Sequence, residues 1–412
     1  MSTSDKRRRI LLISQVYPPD PAAVGQYMAE LGEALAGRGW DARVLTSGSG
    51  YEDPSIKYPP RENLRGVQVR RLPFSSLGKK TILHRLAGQG LFCLQAILRG
   101  LFMPKLGLIV ITTSPPIGSL VGLTVGLLRR CPVAYWVMDI NPDQAVILGK
   151  ARAGSLLVRL FEKFDRAILR RAKAIITLDT YMAERLKRKA PSAAPRIESV
   201  APWPMEERLE RIAHADNPFR KAHGLEGKTV IMYSGNHSIA HPLDTVLEAA
   251  LRLRDHPRLE FLFIGGGHGK KSIEAAIERA HPANLRSLPY QPLETLSQSL
   301  SAADVHLVAM GTQMVGVVHP CKVYGALALA KPVCFIGPRP SHVTDLLDAA
   351  DCGWAVNQGA VDALVERFEA IAEADPQELE AMGQRGQQLI GERFSHQALC
   401  ARVCERLEAV AR

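Results

Sequence analysis

The stretch that decides the fold is "RILLISQVYPPDPAAVGQYMAELGEALAGRGWDARVLTS", residues 9–47. Residues 9–14 form a short, almost continuous apolar run, which is typical of a buried strand. Residues 25–39 place apolar side chains at helical spacing and end on glycine, as helices commonly do. Residues 42–47 are a second apolar strand. Because neither strand alternates with polar residues, the unit predicts a parallel sheet covered by helices on both faces.

This alternation of strands and helices continues along the chain with one interruption. Further apolar strands are predicted at 107–113, 132–139 and 174–179, and then at 229–235, 259–267, 285–290, 305–310 and 332–337. The interruption, residues 200–228, is rich in proline and charge and holds no strong strand. The sequence therefore predicts an α/β fold with two tandem Rossmann-like domains that face each other across a cleft, with ligands at the carboxyl ends of the strands.

The interruption also places the predicted domain boundaries. We assign residues 1–203 to an N-terminal Rossmann-like domain and residues 204–395 to a C-terminal one. A chain of 412 residues is long enough to bury two cores of this size. A last helix, in residues 396–412, is expected to pack back on the N-terminal domain.

The net charge of +11 is divided unevenly between the halves. Residues 1–200 hold 31 basic and 15 acidic side chains, which leaves 52−31=21 basic and 41−15=26 acidic for the remainder. A basic half predicts an anionic partner. Nucleic acid is disfavoured, because the sequence shows no helix-turn-helix, zinc module or aromatic-basic RNA motif.

Residues 79–105 suggest a different anionic partner. Their apolar side chains spread over too broad a face for an ordinary surface helix, and Lys and Arg interrupt them. This pattern favours an anionic membrane leaflet, while a helix packed inside the domain remains the alternative. No apolar run reaches the ~20 residues of a spanning helix, and the seven cysteines are scattered, as in a reducing compartment. We therefore expect a cytoplasmic protein, peripheral on the inner face of the cell membrane.

Lys322 is the residue that most strongly indicates a ligand. It lies in "VVHPCKVYGALALAKPVCFIG" (317–337), where a loop meets a nearly all-apolar helix. A cation at the positive end of a helix is locally unfavourable, and an anion such as a diphosphate would remove the conflict by binding the ammonium and the helix amides together. A lysine that simply extends to solvent is the alternative.

Three glycine-containing loops follow predicted strands and could approach the same anion. There is no GxGxxG after the first strand, which argues against a dinucleotide-dependent epimerase. The candidates are Gly25 at a helix start, Gly235 and Asn236 with His237 and His241 as donors, and Gly265 and Gly266 in "FIGGGHGKKS". Glycine lets backbone N–H groups approach an anion closely, although each loop could equally be a structural turn.

Taken in order, the segments "YPPDPAAVGQY", "TTSPPIGSLVGL", "VAYWVMDINPDQAVILG", "YSGNHSIAHPLDTVLEAA", "FIGGG", "LPYQPLETLSQSLSAADVHLV" and "HPCKVYGALALAKPVCFIG" resemble the GT-B fold glycosyltransferases of family 4. The resemblance covers nearly the whole chain and is strongest to the bacterial polysaccharide subgroup of the WbuB type. It implies that the C-terminal domain binds a nucleotide-sugar donor and that the N-terminal domain binds the acceptor.

The resemblance also assigns roles to single residues. It implies a diphosphate-binding Lys322, a phosphate-facing turn at Gly235, a donor-phosphate glycine at Gly25, a base-facing segment at Tyr290 and Gln291, and a sugar-proximal Asp139. Alternatively, Asp139, Asn141 and Asp143 could equally cap the next helix. The chain departs from the family at Val317 and Gly325, where many members carry two glutamates, and at Asn236 and His241, which replace Arg and Lys.

The activity implied is a retaining, metal-independent hexosyltransferase without a cofactor. Its partners would be a nucleotide-sugar and a lipid-linked or polysaccharide-precursor acceptor. The sequence contains no Asp-x-Asp motif, so the charge on the leaving diphosphate would be stabilised by Lys322, the helix end and the glycine loops. Because the glutamates are missing, a weakened or non-catalytic sugar-nucleotide-binding homologue is the alternative.

Overall fold

The computed structural model describes residues 8–20, 22–50, 53–75, 82–205 and 209–412. The chain forms two compact units, one comprising Met1–Pro202 with Gln397–Arg412 and the other Trp203–His396. Each unit holds its own sheet of mainly parallel strands. The predicted α/β class with two Rossmann-like halves is confirmed.

The first unit is built on an eight-stranded sheet with the order β3-β4-β2-β1-β5-β6-β7-β8. The strands are β1 (Arg9–Ile13), β2 (Asp41–Ser47), β3 (Arg61–Leu64), β4 (Val67–Leu72), β5 (Leu106–Thr112), β6 (Val133–Trp136), β7 (Ala174–Thr177) and β8 (Ile197–Ser199). All neighbours pair in parallel except β3 and β4, which form an antiparallel hairpin at one edge. The sequence patterns predict neither this hairpin nor the three-residue β8.

Helices cover this sheet because each crossover between parallel strands needs one. They are α1 (Ala23–Gly37), α2 (Ile82–Leu101), α3 (Ser119–Leu128), α4 (Asp143–Ile147), α5 (Leu156–Arg171) and α6 (Thr180–Lys189). Local signals place their ends: Asp179, for example, caps α6 by accepting a hydrogen bond from the Met182 N–H at 2.7 Å. The first residues of the predicted 79–105 segment lie outside the described residues.

The second unit carries a six-stranded, fully parallel sheet with the order β11-β10-β9-β12-β13-β14. Its strands are β9 (Thr229–Asn236), β10 (Leu259–Gly266), β11 (Leu285–Leu288), β12 (Val305–Ala309), β13 (Val333–Ile336) and β14 (Gly353–Val356). Its helices are α7 (Pro218–Ala222), α8 (Asp244–Arg252), α9 (Lys270–Ala280), α10 (Leu296–Ser301), α11 (Lys322–Ala328), α12 (His342–Ala350), α13 (Val361–Glu373) and α14 (Pro376–Arg393).

Both faces of the second sheet are buried, which explains why its central strands are mainly apolar. Along β10, Phe261 and Phe263 join one hydrophobic cluster with Phe368 of α13. Leu262 and Ile264 point the opposite way into a second cluster. Two clusters on alternating residues of one strand require helices on both sides of the sheet.

The final helix, α15 (His396–Glu408), lies almost entirely in the residues assigned to the first unit. Glu408 accepts hydrogen bonds there from the Trp40 indole at 3.0 Å and from the Arg38 guanidinium at 2.9 Å. Arg402 of the same helix pairs with Glu198 at 2.8 Å. None of the helices in the described residues combines the length and the apolar character that a membrane-spanning helix requires.

Candidate functional site

The carboxyl ends of β9 and β10 bring four of the predicted residues into one small region of the second unit. Gly235 and Asn236 are the last two residues of β9, and they pair in register with Gly265 and Gly266 at the end of β10. Lys322, the first residue of α11, reaches this region with its side chain. The expected grouping of a lysine with two glycine turns is therefore present within one unit.

The ammonium of Lys322 is held by neutral groups. Its Nζ donates to the Tyr233 hydroxyl at 3.1 Å and to the Asn236 carbonyl at 3.2 Å. It also lies 4.5 Å from the centroid of the Tyr233 ring, within cation–π range. The Tyr233 hydroxyl in turn donates to the Asn236 carbonyl at 2.9 Å. These contacts orient the positive charge without neutralising it, which leaves it available to an anion.

Tyr233 is a residue that the sequence analysis missed. Its side chain is completely buried, yet its hydroxyl reaches the ligand-facing end of the strand. The sequence feature that could have indicated it is a tyrosine inside the apolar strand "TVIMYSG", two residues before the turn. A buried phenol normally requires a polar partner, so a tyrosine at this position suggests a contact near the end of the strand. Its partner is 89 residues away in sequence, so spacing alone could not identify it.

Two of the glycines are required by close contacts. Gly235 has φ +117°, and a Cβ on it would lie 2.7 Å from Cε of Lys322. Gly265 has φ +131°, and its Cβ would lie 2.1 Å from the Gly235 carbonyl oxygen. Both conformations are strained for any L side chain. A side chain at Gly265 would collide with backbone, whereas one at Gly235 would displace the flexible end of Lys322. These glycines therefore shape the space around Lys322.

Lys270 of the glycine loop stabilises the fold. Its Nζ donates to the carbonyl of Gly265 at 2.9 Å and to that of Leu288 at 3.0 Å. This lysine ties the end of β10 to the end of β11. Gly266 lies beside the exposed ring of Tyr290, since a Cβ at Gly266 would be 2.9 Å from that ring. Gln291 is partly exposed, and its amide donates to the Pro289 carbonyl at 3.0 Å.

His241 differs in chemistry from the lysine that it replaces. Its Nδ1 lies 2.9 Å from the Ala309 carbonyl oxygen, so this nitrogen must carry the proton. Burial, reinforced by the charge of Lys322, lowers the pKa of His241 to about 3. The ring is neutral at physiological pH and offers Nε2 as an acceptor, which suits a hydroxyl group better than a phosphate.

His237 is likewise held in place by the glycine loop. Its backbone N–H and its Nδ1 both contact the Gly266 carbonyl, at 2.7 and 3.0 Å. Burial lowers the pKa of His237, so it too is neutral. A cavity of about 170 Å³ lies beside both histidines and is also lined by Asp244 of α8 and Ser272 of α9.

The family's two glutamate positions hold no carboxylate and have little exposure. Val317 is completely buried before α11. Gly325 is a buried residue within α11. Neither position presents a polar side chain to a ligand. The second unit therefore places an uncompensated ammonium beside two glycine turns, and no carboxylate stands at the two positions where the resemblance implies glutamates.

In the first unit, Gly25 and Asp139 follow different strands. Gly25 is the third residue of α1 and packs so closely on the preceding loop that a Cβ would lie 2.9 Å from the Tyr17 nitrogen. Asp139 follows β6, and its backbone N–H donates to Oγ1 of Thr113 at 3.2 Å. Burial raises the pKa of the Asp139 carboxyl to about 6.

The structure tests the capping role expected for the acidic residues near α4. The N-cap of α4 is Pro142, and no side chain caps the helix. Asp143 instead forms ion pairs with Arg185 at 2.9 Å and with Lys189 at 3.0 Å. Capping of this helix by Asp139 or Asn141 is therefore wrong, which leaves the Asp139 carboxylate without that structural task.

Comparison with known proteins gives matches along nearly the whole chain. Residues 22–203 match the family described as "Glycosyl transferase 4-like domain", and residues 216–389 match "Glycosyl transferases group 1". The chain is 26% identical over 339 residues to the putative colanic acid biosynthesis glycosyl transferase WcaI of Escherichia coli strain K12. That alignment covers 78% of this chain and 81% of the relative.

Two solved structures share the fold at low sequence identity. Sucrose-phosphate synthase from Thermosynechococcus elongatus superposes with a TM-score of 0.75 at 18% identity, covering 98% of this chain and 99% of the other. HepE from Anabaena, solved in complex with UDP and glucose, superposes with a TM-score of 0.73 at 15% identity, covering 98% and 100%. At these low identities, the similarity shows only that this chain shares the fold of the two proteins.

Proposed function

Because this chain is a glycosyltransferase of the GT-B, family 4 type, we propose that it transfers a hexose from a nucleotide-sugar to an acceptor hydroxyl, with retention of configuration. The C-terminal unit would bind the donor, and the N-terminal unit would bind the acceptor. HepE, a protein of the same fold, was solved with UDP and glucose, which supports a nucleoside diphosphate as the leaving group.

The observation that carries this proposal is the arrangement of Lys322. An ammonium held by a phenol, an aromatic ring and a carbonyl keeps its full charge beside the Gly235 turn. As the glycosidic bond breaks, negative charge develops on the departing diphosphate. A fixed cation and nearby backbone amides stabilise that charge without reorganising during the reaction. α11 has seven residues, so we assign the larger contribution to the ammonium.

The remaining steps use groups already present. In a same-face reaction, the departing phosphate accepts the proton of the acceptor hydroxyl, so no separate base is needed. Asp139, whose pKa is about 6, would orient the sugar or the acceptor hydroxyl as a carboxylate at neutral pH. No metal or cofactor is included in this mechanism.

For the acceptor we propose a lipid-linked glycan or a polysaccharide precursor. WcaI is named for colanic acid biosynthesis, and the resemblance to the bacterial polysaccharide (WbuB-like) subgroup agrees with an acceptor of that class. A lipid-linked acceptor would be held at a membrane surface, and the basic N-terminal half favours an anionic one. We therefore also propose a cytoplasmic location on the inner face of the membrane.

A sugar-nucleotide-binding homologue with weak or no transfer is the second candidate. Val317 and Gly325 favour it, because they leave the donor ribose without the usual carboxylate. A donor-hydrolysis assay separates the two candidates. The transferase releases nucleoside diphosphate over many turnovers, whereas a binding protein releases none.

A thermal-shift screen tests donor binding directly. We expect one of UDP-, GDP-, ADP- or dTDP-glucose to raise the melting temperature, because a ligand that binds only the folded state stabilises it by mass action. At a concentration of about 100 times Kd, the stabilisation would be about 2.7 kcal/mol. The free base and free glucose serve as controls. If no nucleotide-sugar shifts the melt, donor binding is contradicted.

Chelation tests the absence of a metal from the mechanism. We expect EDTA to leave the transfer rate unchanged, since Lys322 supplies the positive charge that a divalent ion would otherwise supply. The measurement is initial-rate turnover with EDTA, with Mn²⁺ added back in a parallel sample. A large loss of rate that Mn²⁺ restores would contradict a metal-independent reaction.

A further inference from the structure

Helix α2 has two apolar faces, of which only one packs into the first unit. Phe92, Cys93 and Ala96 are almost completely buried on the inner face. On the opposite side, Leu91, Leu94, Leu98 and Phe102 are 39, 53, 49 and 83% exposed. Their spacing of three, four and four residues places them in one stripe along the helix. One face of α2 is therefore packed inside the first unit, and the other is an exposed apolar face.

The end of α3 extends this stripe. The Arg129 guanidinium donates to the Leu101 carbonyl, which places the end of α3 beside the end of α2. Leu127 and Leu128, the last two residues of α3, are 59 and 64% exposed. We call Leu91, Leu94, Leu98, Phe102, Leu127 and Leu128 the α2–α3 patch. Six large exposed apolar side chains on two adjoining helix ends are unusual on a water-facing surface, and such a concentration marks an interaction site.

The segment that carries the patch has charge of one sign. Residues 63–138, which include both helices, contain ten Lys or Arg and no Asp or Glu. Arg99 lies next to Leu98 on α2, while Arg129 and Arg130 directly follow Leu128, and all three are exposed. An apolar strip bordered by cations is the chemistry that binds an anionic lipid surface, with the apolar groups at the acyl boundary and the cations at the headgroups.

We propose that the α2–α3 patch docks the first unit on an anionic lipid bilayer. The alternative occupant, a second copy of this chain, would bring the same positive border against itself, so charge opposes a symmetric pair through this face. This docking role rests on the proposed function, because docking would bring the enzyme to a lipid-linked acceptor presented at such a surface.

Vesicle sedimentation tests the docking surface. The full chain is mixed with vesicles of phosphatidylcholine, with or without phosphatidylglycerol, and the bound fraction is measured without any nucleotide-sugar. We expect binding to the anionic vesicles only, with a loss of about tenfold or more in the Leu94→Ser/Leu98→Ser variant, since each substitution removes apolar area from the acyl boundary. The Arg99→Gln/Arg130→Gln variant should bind more weakly and lose much of its salt dependence.

Ile56→Ser is the matched control, since Ile56 is 49% exposed and lies outside the patch. This variant should bind anionic vesicles as the wild-type protein does. Failure of the original chain to bind anionic vesicles, or an equal loss in the control, would overturn the proposal. The proposal would also be overturned if the protein were a dimer in solution and the Leu94→Ser/Leu98→Ser variant were a monomer, because the patch would then join two copies. Donor turnover in vesicle-free solution is measured separately, so loss of docking and loss of the proposed activity are distinguishable.

Discussion

Lys322→Ala should reduce the turnover of the transferase by about 10²–10³-fold, the loss typical when one preorganised donor to a developing negative charge is removed. The reason is specific to its surroundings. The ammonium has a phenol, a ring face and a carbonyl as partners, so its charge is oriented but not compensated. The measurement is the initial rate of nucleoside diphosphate release in the presence of acceptor.

Two further variants separate charge from packing. Lys322→Met keeps most of the aliphatic chain beside Gly235 and Tyr233, so it should lose activity as fully as the alanine variant while keeping the melting temperature. Lys221→Ala removes an exposed lysine of α7 and should leave the rate unchanged. Turnover by Lys322→Met close to that of the original chain would show that the ammonium has no part in transfer.

Much of the fold could be predicted because parallel strands buried on both faces are visible in a single sequence. The runs that became β1, β9, β10 and β12 each contain at least three consecutive or near-consecutive apolar residues, and a helical pattern follows each of them. The hairpin of β3 and β4 escaped detection because charged and polar residues interrupt its apolar ones, although β4 itself is largely buried and only β3 lies at the edge. Its sequence "RENLRGVQVRRL" is dominated by charged residues.

The site was predictable where the chemistry is local and was missed where it depends on distant partners. Lys322 stood out because a cation at the start of an apolar helix conflicts with the helix dipole. Tyr233 lies on β9, and Lys322 begins the helix that follows β12. The two side chains meet because β9 and β12 are neighbours in the sheet, although they are far apart in sequence. The role of His241 also required the structure, because its neutral state follows from burial and from the Ala309 carbonyl.

The exposed face of α2 could be predicted only in part. The sequence shows too many apolar residues for a one-faced helix, but helical spacing does not reveal which of them pack against the sheet. Phe92 and Leu94 are only two residues apart, yet one is fully buried and the other is half exposed. That division depends on the neighbouring α3, which tertiary packing places there.

Gly235→Ala should reduce turnover by tenfold or more while the chain still folds. An added methyl group would lie 2.7 Å from Cε and 3.1 Å from Nζ of Lys322, so the lysine must leave its place over the Tyr233 ring. The backbone at φ +117° adds a cost in folding free energy of about 1–3 kcal/mol. Gly227→Ala separates these effects, because Gly227 has φ +69° and a Cβ there would meet no atom within 4 Å. The control should lose about 1 kcal/mol of stability and keep its activity. If Gly235→Ala were less stable but fully active, Lys322 would not need its present position for transfer.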